Sequence, residues 1–174
     1  MTYTHAELVH RAVRWLRRHH KCSIVYSEMA TGAMETPDAI GWRFGFSRLI
    51  ECKVSRSDFF KDQKTKMGAI HADRGMGGQR WYLVPDEMVT AEEVPKWWGL
   101  AYVKKNRILI VKEAPEREKW DARGEAQMLM SAIRRIELGS QFDSSTCRWE
   151  SLIARNLRQG HRPAKRRRRR RRRL

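Results

Sequence analysis

The residues whose types and spacing suit chemistry fall within positions 37–53, PDAIGWRFGFSRLIECK. Residues 49–54 read as a strand, and strand side chains alternate between faces. Glu51 and Lys53 therefore share one face, while Ile50, Cys52 and Val54 take the other. An acid and a lysine set into an apolar strand cost free energy on burial unless a partner compensates. Asp38 faces Glu51 if the two runs pair as a hairpin, with Gly41 and Gly45 marking the turn between them. Two readings are open: a reaction centre of two carboxylates and an ammonium, or an ordinary same-face ion pair on an exposed strand.

The neighbouring residues favour the first. PD followed thirteen positions on by E-x-K resembles the PD-(D/E)xK nuclease superfamily. Beyond it, E-x-K-V-S-x-x-D-F-x-x-D-x-K is similar to the MmcB-type DNA-repair nuclease-like family and related small phage and prophage proteins. The similarity spans residues 7–111 and is specific over residues 51–64. RWYLVP and P-x-W-W-G-L-x-Y-V also resemble the phage proteins, in which a strand pair completes the sheet. The resemblance implies a restriction-endonuclease-like α/β core, a mixed β-sheet flanked by helices. It implies that Asp38, Glu51 and the backbone carbonyl of Cys52 hold Mg²⁺, with Mn²⁺ as a substitute, an oxygen donor set that suits a hard cation. Lys53 then orients the attacking water or stabilises developing charge. Superfamily members often add an acid from the first helix, for which Glu7 is the candidate, and Glu28 at the end of the first strand is a second. The implied activity is metal-dependent hydrolysis of phosphodiester bonds in DNA, with RNA as a further substrate class, in phage or prophage DNA processing or repair. The resemblance also allows a homodimer.

These residues need elements to hold them. Residues 4–20 read as a helix, with Thr4 and Glu7 in capping-box spacing and Val9, Val13 and Leu16 at helical intervals. That box, or an i,i+4 pairing with Arg11, accounts for Glu7 as well as catalysis does. Residues 23–28 read as the first strand. Ser55 is placed as the N-cap of a helix whose Asp58 and Asp62 stack on one face, and Phe59 and Phe60 anchor it in the core. Asp58 pairs most simply with Arg56, Lys61 or Lys64, while Asp62 and Lys64 are candidates to reach the substrate side. Residues 66–80 are glycine-rich and read as a mobile loop, offering Lys66, Arg74 and Arg80, together with Lys64, as phosphate contacts. Residues 81–84, 100–103 and 107–112 read as strands, with a short helix opened by Thr90 and Glu93 and ended by Pro95. Trp97 and Trp98 fit either the core or base stacking, and the core is the commoner use. Residues 122–138 read as a helix, 140–145 as a polar linker and 147–157 as a second helix.

The chain of 174 residues carries 37 Lys and Arg against 20 Asp and Glu, a net charge of +17. Nine of those positive charges are Lys165, Arg166, Arg167, Arg168, Arg169, Arg170, Arg171, Arg172 and Arg173, so the body keeps +8. Such a run repels itself, reads as disordered, and binds duplex DNA without regard to sequence. The predicted organisation is a nuclease-like core over residues 1–113, a helical extension over 114–160, and a disordered Arg-rich tail over 161–174. Cys22, Cys52 and Cys147 lack C-x-x-C spacing, which with the absence of a long apolar run suits a reducing cytoplasm rather than a membrane. Two other functions remain: a non-catalytic DNA-binding protein that keeps the nuclease fold, and a DNA-packaging accessory driven by the tail.

Overall fold

Thr4 and Glu7 start the first helix as their spacing predicts. The Thr4 hydroxyl accepts from the Glu7 N–H, and the Glu7 carboxylate accepts from the Thr4 N–H at 2.7 Å. The helix, α1 (His5–Arg18), buries Leu8, Val9, Ala12, Val13, Trp15 and Leu16 on one side and turns its arginines outward. This computed structural model describes residues 2–31, 35–67, 75–137, 141–143 and 148–150. The protein is α/β: a six-stranded mixed sheet with helices on both faces.

The strands are β1 (Ile24–Ser27), β2 (Ala39–Arg43), β3 (Phe46–Cys52), β4 (Gln79–Pro85), β5 (Gly99–Val103) and β6 (Ile108–Lys112). They lie in the sheet in chain order. β1, β2 and β3 pair antiparallel, β4 is parallel to both β3 and β5, and β6 returns antiparallel to β5. The parallel step from β3 to β4 requires a crossover, and α2 (Arg56–Met67) supplies it. Ser55 caps α2 as its spacing predicts, accepting from the Asp58 N–H at 3.2 Å. The β2–β3 hairpin closes on Phe44 and Gly45, both at positive φ (51° and 77°), the signature of a two-residue type I′ turn. Gly41 is not part of the turn, as the sequence suggests, but lies within β2 opposite Arg48.

Alternation along these strands builds two apolar layers. Ile50, Cys52, Trp81, Leu83, Ala101 and Val103 meet α1. Leu49, Tyr82, Val84, Trp98 and Leu100 meet Phe59 of α2 and Met128 and Ala132 of α3 (Ala122–Glu137). α3 therefore forms part of the second layer of this body. Its buried Glu125 accepts from Trp42 Nε1 at 2.9 Å, Ser47 Oγ at 2.6 Å and the Gly77 N–H at 2.8 Å.

Two predicted elements take another form. Residues 91–94 make turns instead of a short helix; the Thr90 N–H still donates to Glu93, but Pro95 leaves no room for a helical turn to propagate. The predicted linker and last helix contain a hairpin, β7 (Gln141–Asp143) and β8 (Arg148–Glu150), with Phe142 opposite Trp149. QFD and RWE alternate polar with aromatic, a period-two pattern too short to register against the helical reading. Among the described residues, no helix is long and apolar enough to cross a membrane.

Candidate active site

Register places the acids. Ser27 lies opposite Ala39, Ala39 opposite Ile50, and Glu51 opposite Tyr82. One position further, Glu28, Asp38, Glu51 and Tyr82 form a row across the ends of four adjacent strands, on the α2 face of the sheet. The hairpin turn fixes this row, because a slip of one residue would send Glu51 to the α1 side. Glu28 ends β1 with φ 47°, and its N–H donates to the Asp38 carbonyl at 3.2 Å.

Asp38 is held from two sides. One carboxylate oxygen accepts from the Cys52 N–H at 2.7 Å, and the other lies 3.4 Å from His5 Nε2. His5 also lies 3.6 Å from Glu28, so the first residue of α1 bridges two acids of the row. Burial first, and the neighbouring Glu51 carboxylate second, push the Asp38 acid up to about 6, against the pull of the Cys52 N–H, Lys53 and His5. Acids directly across a sheet repel, and a low-dielectric setting strengthens the effect.

Glu51 and Lys53 are buried, at 3% and 8% exposure. The compensating partner that such a pair demands is Asp62 from α2. Lys53 Nζ lies 3.3 Å from Glu51 and 3.1 Å from Asp62. Burial alone would disfavour the ammonium, but Glu51, Asp62 and Asp38 together hold Lys53 above the usual lysine range. The Tyr82 hydroxyl donates to Asp62 at 2.9 Å, fixing the carboxylate that fixes Lys53. Burial, then Asp62, raise the tyrosine well above its ordinary value, which keeps it a donor. Behind it, Trp98 stacks on Tyr82 at 4.2 Å and the Arg80 guanidinium covers Trp98 at 4.3 Å.

Among the described residues, no three His, Cys, Asp or Glu side chains converge as a metal cage. The row offers the Asp38 and Glu51 carboxylates and, on the same side as the Cys52 N–H by strand alternation, the Cys52 carbonyl. This small set of hard oxygens fits Mg²⁺, which retains several waters.

The other predicted site residues are scattered over the fold. Glu7 is exposed and bound in the cap of α1, on the helix that brings His5, not Glu7, to the row. Lys64 is exposed on α2. Arg80 belongs to β4 and not to a loop; it is 7% exposed and pairs with Glu35 at 2.6 Å, so its charge is already satisfied within the fold. Trp98 is buried, whereas Trp97 is half exposed with Lys96 over its ring. Arg74, the Lys66 side chain and residues 165–173 lie outside the described residues. Sequence reasoning missed His5 and Tyr82, for which no local pattern exists. Of Asp62 and Lys64, the two α2 residues expected toward the substrate side, Asp62 reaches Lys53 of the row, whereas Lys64 is exposed.

No family model and no curated protein matches the chain. Among solved structures, it is similar to the SPO1766 protein of unknown function from Silicibacter pomeroyi. The two are 27% identical over 79% of this chain and 92% of that one, with a TM-score of 0.55. The likeness supports the layered α/β architecture.

Proposed function

We propose that the protein is a metal-dependent deoxyribonuclease of the restriction-endonuclease-like type. One observation carries the reading: just beyond the Ala39–Ile50 pair of β2 and β3, Asp38 is bonded to the Cys52 N–H and neighbours the Glu51 carboxylate, and Lys53 lies between Glu51 and Asp62. Asp38, Glu51 and the Cys52 carbonyl would hold Mg²⁺, or Mn²⁺ in its place. The bound ion would supply a water of lowered pKa and a polarised phosphate. Lys53 keeps its charge under burial, so it can orient a water or meet negative charge growing on the phosphate. Asp62 and Tyr82 position Lys53 without touching substrate. His5 lies between Glu28 and Asp38, within 3.6 Å of the first and 3.4 Å of the second.

The test is a cleavage assay on circular and linear DNA, single- and double-stranded, with Mg²⁺, Mn²⁺ or EDTA. Glu51→Gln and Lys53→Met, verified as folded by circular dichroism, accompany the parent. Metal-dependent cutting that each variant loses by about 10²-fold or more is expected, the scale on which removal of one charge-stabilising group acts. The closed Glu51–Lys53–Asp62 network favours one competing reading, a DNA-binding protein in which these charges serve the fold. That reading replaces the first if nothing is cut while both variants bind DNA like the parent.

A further inference from the structure

Arg11, Arg14 and Arg18 of α1 line one wall of a groove. The turn between β5 and β6 comes across them, and helix and turn enclose about 760 Å³. The turn contributes Lys105 and Arg107. Arg11 builds the groove: it donates to the carbonyls of Lys104 and Lys105 at 3.0 Å each and lies over the Tyr3 ring. Helix and turn are thereby fixed to each other. Arg14, Arg18, Lys105 and Arg107 are exposed, and among the described residues none of them forms an ion pair. The one acid in the lining, Glu7, has its carboxylate engaged by Thr4.

We propose that this groove binds the phosphate backbone of a nucleic-acid strand, with Arg14, Arg18, Lys105 and Arg107 on the phosphates. The inference rests on the nuclease reading and adds the surface by which substrate is held. Clustered cations repel one another, and a polyanion relieves that repulsion while releasing its own counterions. Arg14 and Arg18 are about 6 Å apart along the helix axis, a rise that one strand of a duplex covers with about two phosphates. The concavity suits a strand better than a flat lipid surface. The Tyr3–Glu7 end lies within one helical turn of His5, so a strand in the groove has a path toward Asp38.

The experiment measures binding of the full chain to a short DNA duplex by fluorescence anisotropy in EDTA over a series of salt concentrations. The parent is compared with R14Q/R18Q/R107Q and with R43Q/K96Q/K119Q, which removes equal charge outside the groove. The slope of log K against log salt should become shallower by about 2.7 in the groove variant, about 0.9 for each lost phosphate contact, and stay parental in the control. Equal changes in both variants overturn the inference. So does a groove variant that keeps the parental slope on DNA while losing binding to anionic vesicles. If the parent cleaves DNA and the groove variant keeps its slope, the groove inference fails alone. A parent that neither binds nor cuts DNA removes both readings.

Discussion

Burial, and after it the neighbouring Glu51 carboxylate, raise the proton affinity of Asp38. Its pKa rises from 3.8 to about 6, so the folded protein holds that proton more tightly than the unfolded chain does. The stability this confers is fully present below about pH 4 and lost as pH rises through about 6. A rise of that size corresponds to about 2–3 kcal/mol. Asp38→Asn keeps an acceptor for the Cys52 N–H and removes the charge. Without divalent metal, the variant should be more stable than the parent by about 2 kcal/mol at pH 7.5 and equal to it near pH 4, measured by urea denaturation at both pH values. Mg²⁺ should raise the parent and not the variant at pH 7.5. An advantage of equal size at both pH values would show that the carboxylate is not the strained group.

The β2–β3 hairpin sets this geometry, and its other end depends on one close approach. A Cβ on Gly41 would meet the Cys22 Cβ at 2.9 Å and its sulfur at 3.0 Å, where the chain leaving α1 crosses the sheet. Gly41→Ala should therefore destabilise the fold by about 1–3 kcal/mol, the usual cost of overpacking, read as a lower urea midpoint with unchanged m-value. An unaltered midpoint would mean that the α1–β1 connection yields freely. On the opposite face, α3 is anchored by Glu125 to β2, β3 and the segment entering β4. Arg117 secures the same segment, donating to the carbonyls of Gly75 at 2.9 Å and Gly77 at 3.0 Å. Buried charges far from the row thus hold the strand on which Arg80 and Tyr82 sit.

At the scale of the whole molecule, charge governs. The net charge of +17 divides about evenly between residues 165–173 and the rest. Removing residues 165–173 should make the salt slope of DNA binding shallower by about 8 if all nine charges engage phosphates, since each contact contributes about 0.9. Metal-dependent cutting should persist at low salt, because the row and the groove remain. Loss of all DNA-dependent behaviour on truncation would instead assign the function to the tail, as in a packaging accessory.

The sequence by itself determined whatever depends on neighbours along the chain. Thr4 and Glu7 set the start of α1, Ser55 that of α2, and the alternation around Ile50 and Cys52 fixed which face carries Glu51 and Lys53. The step from Asp38 to Glu51 was legible because a hairpin ties register to turn length, even though Phe44-Gly45 rather than Gly41 forms the turn. Tertiary structure alone decided the rest. Asp62 reaches across to Lys53, His5 reaches Asp38 and Glu28 from the far end of another element, and Arg80 is engaged by Glu35 and Trp98. The arginines of α1 become a groove only because a turn more than ninety residues away closes over them. The physical reason is plainest for Asp62 and Arg80, the two largely buried charges among these. Burial selects the partner that best compensates a charge in the space available, and that space is defined by packing between elements whose approach no local pattern encodes.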